Sequence, residues 1–363
     1  MKARIYLNVL IVIGCLMVSL PGIAQRCPEE PTQKKGVWKN YPDAGLAGFE
    51  VHPVTLKYKA QIGQVLDTIV NLFIKYNPEP VGSEAKWNKS LRTEWDSVTS
   101  PDPSYTNYMY TAGYFPYICS NGTVKAFSQT DSWVYVHVNG YWPSGHHLQH
   151  EFNNALKEKL FTLPPQRGTL GGYPVFEPIP KGEEDSPWLL FYSVLIHHPD
   201  KLPYISVTKG ELFDLYEKLI QAKEQEYLGG IASQRKNMGE DWYNEQTDRV
   251  KKQIEGMRTN LTELKKLYAK ELNQPAILRS WVYTIRDIEI ADPTQKKFFT
   301  TANRGYQLVR ANPDYMDQKQ EKWKPQFMWV EWYKPVAMQN AIELDKVLRE
   351  KFDFKELGKL LTQ

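Results

Sequence analysis

The sequence predicts an α+β fold: a helix followed by an antiparallel β-meander, then a second mixed region that carries a long antiparallel helical hairpin. Three observations predict it. Apolar residues recur at three- and four-residue spacing between Leu56 and Tyr76. The run WVYVHVNGYW, from Trp133 to Trp142, alternates with a period of two. Val250, Ile254, Met257, Leu261, Leu264 and Tyr268 form a 3.5-residue seam, downstream of a capping box at Thr208 and Glu211.

Ahead of these elements, Lys2 and Arg4 precede an almost wholly apolar stretch, Ile5 to Leu20. Pro21-Gly22 breaks the stretch and Gly22-Ile23-Ala24 ends it on small residues. This is the pattern of a secretory signal peptide, residues 1–24, cut after Ala24. The alternative is a lipid anchor at Cys15, since Val12-Ile13-Gly14-Cys15 resembles a lipobox, although Leu16-Met17-Val18 continues the apolar run. The expectation is an exported protein, periplasmic or secreted, with no transmembrane span after cleavage.

Cleavage removes Cys15 and leaves Cys27 and Cys119. In an oxidising compartment two cysteines read as a candidate disulfide, with two unrelated thiols as the alternative, and geometry decides between them. The leader also takes Lys2 and Arg4, which leaves 43 basic against 42 acidic residues. So small an excess supplies no field for nucleic acid, and nucleic-acid binding is not expected.

Residues 25–55 read as an extended, proline-containing N-terminal segment, and 56–163 as an α+β region. Its helix carries Tyr58, Ile62, Val65, Leu66, Ile69, Leu72, Phe73 and Tyr76 on one face and stops at Asn77-Pro78. Asn121-Gly122, between two strand-like runs, suits the φ > 0 pair of a tight hairpin. In the next strand Val134, Val136 and Val138 point to one face, and Trp133, Tyr135 and His137 to the other. A helix starting near Gly145 and ending near Phe161 takes Leu148, Phe152, Ala155, Leu156 and Leu160 as its buried face.

Residues 164–187 are rich in Pro and Gly and have no period, so they read as a linker or loop and a region boundary. In the second region, 188–363, Trp188 to Ile196 is a buried strand and Gln326 to Trp332 another. The helical hairpin occupies about 208–273, with a bend expected at Gly229-Gly230. Met338, Ala341, Ile342, Val347 and Leu348 mark a terminal helix.

Two sets of residues are candidates for function. The stretch YWPSGHHLQHEF places His146, His147, His150 and Glu151 within six residues. If a helix begins near Gly145, His146 and His150 lie one turn apart, and His147 and Glu151 lie one turn apart on a neighbouring stripe. Paired ligands one turn apart are how a helix holds zinc, and His137 or His198 would complete the shell. The order H-x-x-H-E matches neither H-E-x-x-H nor H-x-x-E-H, so a solvated helix start is the simpler reading. The second set is aromatic: Trp133, Tyr135, Tyr141 and Trp142 form a ligand or partner surface if they face solvent, and core if they are covered.

No nucleophile elbow, P-loop or dinucleotide fingerprint occurs. The expected function is therefore binding of an unidentified small ligand or protein partner without catalysis, and no cofactor. The alternative is a metal-dependent hydrolase, with zinc at His147, His150, Glu151 and His137. The sequence does not fix the oligomeric state.

Overall fold

A computed structural model describes residues 27–41, 56–91, 106–140, 147–177, 179, 191–280, 282–333 and 338–362. The signal-peptide stretch, Cys15, Tyr141, Trp142 and His146 lie outside the described residues. The fold is α+β, built in four layers.

The central layer is a nine-stranded sheet. Its strands are β1 (Trp38–Asn40), β2 (Ser83–Leu91), β3 (Tyr108–Ser120), β4 (Thr123–Ala126), β5 (Trp133–Val138), β8 (Gln166–Leu170), β9 (Tyr173–Phe176), β10 (Phe191–Ile196) and β14 (Met328–Tyr333). They run in the order β1-β2-β3-β5-β14-β10-β9-β8, with β4 hairpinned onto β3. Only the β1–β2 pair is parallel. The β3–β4 turn uses Asn121 and Gly122 at φ 53° and 74°, as the Asn-Gly pair predicts.

One face of this sheet is covered by helices α1 (Lys59–Tyr76), α6 (Gln339–Glu350) and α7 (Phe354–Gly358). Ile62, Val65, Leu66, Ile69 and Phe73 of α1 meet Val134, Val136 and Val138 of β5 in one core. The face of β5 that the alternation assigns to the valines is therefore the helix-covered one. In α6 Ala341, Leu344, Val347 and Leu348 are buried, whereas Ile342, expected on the apolar face, is exposed.

A second sheet packs on part of the opposite face. It orders β11 (Tyr204–Ser206), β13 (Tyr306–Ala311), β7 (Leu160–Leu163) and β6 (His147–Leu148), with β12 (Ile277–Leu278) paired to β13. Alternation along its strands serves two cores. Phe161, Leu163 and Val309 meet Phe176, Leu195 and Trp329 of the large sheet, whereas Leu160 and Leu308 face the helical layer.

That outer layer contains α2 (His150–Leu156), α5 (Ile285–Glu289) and the hairpin of α3 (Lys209–Met238) and α4 (Glu240–Leu267). The capping box forms: the Thr208 side chain accepts from the Glu211 N–H, and Glu211 accepts from the Thr208 N–H. Ile254, Met257, Leu261, Leu264 and Tyr268 of the seam are buried against α3 and the body. The hairpin closes on its own chain.

Three expectations change. Gly229-Gly230 does not bend α3, which continues to Met238 and turns at Gly239, φ 90°. Two mid-helix glycines cost about 1 kcal/mol each relative to alanine. Glu224–Arg258 and Arg235–Glu240 ion pairs, with Arg235 over the Tyr243 ring, join this stretch to the neighbouring helix. The second change is at 164–187: residues 166–176 are the β8–β9 hairpin, turning at Gly171 and Gly172 with φ 60° and 91°. Its Gly-rich composition serves the turn, and strands from both sides of this stretch share one sheet. The third is the helix expected from Gly145 to about Phe161, which begins only at His150 and ends at Leu156, so that Leu160 and Phe161 belong to β7. Leu148 pairs with Phe161 as a strand, and the Gln149 N–H donates to the Leu160 carbonyl.

Candidate functional site

The face of the nine-stranded sheet away from α1 is only partly covered by the second sheet. Phe176, Leu195 and Trp329 are beneath it, while Trp133, Tyr135, Phe191 and Tyr333 remain half-buried. Strand register assembles this open part. Asn88, Thr111, Tyr135, Glu331 and Ser193 occupy one row across β2, β3, β5, β14 and β10. The row above runs through Lys86, Gly113 and Trp133, with Phe191 opposite Tyr333. The row below holds Met109, His137, Trp329 and Leu195.

The upper rows make a continuous aromatic band. Phe115 meets Trp133 edge-on at 5.9 Å between centroids, Trp133 lies near-parallel to Tyr135 at 6.3 Å, and Tyr135 approaches Phe191 at 6.3 Å. Phe191 meets Tyr333 at 5.5 Å, and Lys86 Nζ sits 4.4 Å over the Phe115 ring and 5.4 Å over Tyr41. Gly113 makes room for the band: a Cβ there would fall 2.8 Å from Trp133 Cζ3. The indole N–H donates to the Thr130 carbonyl at 2.8 Å, which satisfies its polar edge and fixes the ring. Burial, with Asp131 adding to it, pushes the Tyr333 phenol up from its ordinary pKa.

Polar groups form the floor. Glu331 is fully buried, and its Oε2 lies 3.6 Å from Nε2 of buried His137. That distance is an ion-pair contact when the imidazole is protonated and too long for a hydrogen bond. Both residues make further interactions. The Ser193 and Thr111 hydroxyls are buried and have no hydrogen-bond partner among the described residues. Serine, histidine and glutamate are the residue types of a hydrolytic triad, but register forbids it. Ser193 is two strands from His137 and one row away, so no serine–histidine hydrogen bond forms.

The histidine-rich stretch has a different fate. His147 is in β6, not on a helix, and His150 is exposed at the start of α2. Glu151 Oε2 accepts the Ile285 N–H at 2.7 Å and so serves the first turn of α5, while its Oε1 lies 3.6 Å from Lys223 Nζ. Phe152, next in α2, packs on Tyr216 in the hairpin core. That core is on the far side of the second sheet from His137. Among the described residues no group of three or more His, Cys, Asp or Glu could hold a metal ion. His198, the other proposed third ligand, lies tilted against the Tyr315 ring at 6.2 Å beyond the end of β10, and its pKa is lowered chiefly by burial.

Comparison with protein-family models, with curated proteins and with solved structures finds no match. The site stands on its geometry alone.

Of the aromatic surface candidates, Trp133 and Tyr135 belong to the band, and Tyr141 and Trp142 lie outside the described residues. Glu331, Ser193, Thr111 and Gly113 were not singled out from the sequence. Glu331 had a readable signal, being the one charge in the run MWVEWY, where alternation sets it on the Trp329 face. Cys27 and Cys119 are bonded, with Cα atoms 5.7 Å apart, which ties the N-terminal segment to the outer end of β3.

Proposed function

We propose that the chain is an exported binding protein that holds a ligand on the open aromatic face of its nine-stranded sheet and performs no chemistry on it. One observation carries the reading. The helix-covered face is sealed, whereas Trp133, Tyr135, Phe191 and Tyr333 on the other face stay half-buried over a polar floor. Apolar walls with a few convergent polar groups are the usual make-up of a small-molecule site. The Cys27–Cys119 bond supports export, because disulfides persist in oxidising compartments. Among the described residues no helix is long and apolar enough to cross a membrane.

Thermal melting of mature protein against simple ring compounds (tryptamine, benzoate, a methyl glycoside) tests the reading. Ligand at a hundred times its Kd adds about 2.7 kcal/mol to stability. At least one compound should raise Tm in the native sequence and not in Trp133→Ala. A panel with no effect, or an equal effect in both proteins, would overturn it.

A further inference from the structure

We infer that the aromatic band takes a neutral saccharide chain, laid across the strands from Tyr41 and Phe115 to Phe191 and Tyr333; this rests on the binding reading above. From β2 to β10 the band crosses four strand spacings, about 19 Å, which is longer than a single small ring needs. Its rings succeed one another at 5.5 to 6.3 Å between centroids.

A peptide laid on the face of a sheet finds no main-chain partner, because the strand N–H and C=O groups are spent in the ladders. What this face presents is ring surface and side-chain groups: the Thr111 and Ser193 hydroxyls without partners and the Asn88 amide, in one register row. Hydroxyls that both donate and accept match the hydroxyls of a sugar. The C–H face of a pyranose meets an aromatic ring as any apolar surface does. Both hydroxyls are buried, so a saccharide reaches them only as the groups over them move.

Lys86 is the cation on the band, and it is already engaged with Glu84 at 3.4 Å and with two rings. Glu331 on the floor has His137 beside it. Among the described residues an anionic chain would therefore meet on the band only a cation already engaged, and a neutral chain brings no unpaired charge to a desolvated face.

Affinity electrophoresis of the mature chain, residues 25–363, through gels containing amylose, dextran, xylan, mannan or mixed-linkage β-glucan tests the inference. Any hit is then quantified by calorimetry. At least one neutral glycan should retard the protein, and Trp133→Ala and Tyr333→Ala should each weaken binding about tenfold. Tyr333 sits at the rim, so its variant remains informative if Trp133→Ala unfolds; Tyr243→Ala, on the distant hairpin, should bind normally. No retardation by any glycan, while tryptamine or a proline-rich peptide binds through Tyr333, would overturn the saccharide class and leave the binding face standing. No binding that depends on Trp133 or Tyr333 would remove both readings, and glycan binding that survives both substitutions would overturn this one.

Discussion

Replacing both Cys27 and Cys119 with serine cuts a loop of 92 residues' separation, and the size of the effect follows from that separation. The chain-entropy relation for a loop of this length gives about 15 to 16 cal/mol/K, or roughly 4.6 kcal/mol at 25 °C. Residual structure in the unfolded chain lowers the figure, so about 3 to 4.6 kcal/mol is expected. With about 2.1 cal/mol/K of unfolding entropy per residue, that is a fall in Tm on the order of 4 to 6 °C for a chain of this size. Urea titration of the oxidised protein and the double variant measures it. The midpoint should fall and the m-value rise, since an uncrosslinked chain exposes more surface on unfolding. Cys119 is exposed, so a reductant should reproduce the shift in the native sequence. A loss below about 1 kcal/mol would refute the reasoning. It would mean that residues 27–41 detach before the sheet melts, despite the β1–β2 pairing and the Trp38 indole bond to the Asn77 carbonyl at 2.7 Å.

Other perturbations follow from single contacts. Thr208→Ala removes one half of the capping box at the start of α3 and should cost about 1 kcal/mol in urea unfolding. Gly229→Ala with Gly230→Ala should stabilise the distal hairpin by about 1 to 2 kcal/mol, because neither added Cβ meets an atom within 4 Å. Amide exchange at 225–235 would slow accordingly, and unchanged exchange would show that the arm opens only with the whole protein. Asp287 is held above its ordinary pKa chiefly by burial. The folded state therefore keeps its proton where the unfolded chain has lost it, and stability from this group falls as pH rises between the two values. Asp287→Asn should flatten that slope in pH-dependent melting, while a slope of opposite sign would contradict the assignment. Gly113→Ala should push the Trp133 ring off the sheet, seen as a changed near-ultraviolet circular dichroism signal and weakened ligand binding.

What the sequence by itself determined lies where a few neighbouring residues settle the outcome. The apolar stripe of α1, the Thr208 cap, the Asn121-Gly122 turn and the α4 seam each depend on contacts within a turn or two of the chain, and each is found where the pattern puts it. Alternation in β5 likewise separated the valines from Trp133, Tyr135 and His137, and so named part of the candidate face. It could not say which face would be covered, because the covering helices arrive from residues 59–76 and 339–358.

Tertiary structure alone decided the rest. His147 became a strand residue because Leu148 and Gln149 pair with Phe161 and Leu160, and Glu151 was taken up by a helix more than a hundred residues away. Gly171-Gly172 resembled a linker, since a glycine pair in a turn and one in a loop look alike until the flanking strands find a sheet. The polar floor was the least legible part: Glu331 and Ser193 join the row of Thr111 and Tyr135 only because β14 inserts between β5 and β10. Strand register between distant segments is set by which faces bury together, and that balance belongs to the assembled core, not to any local run of residues.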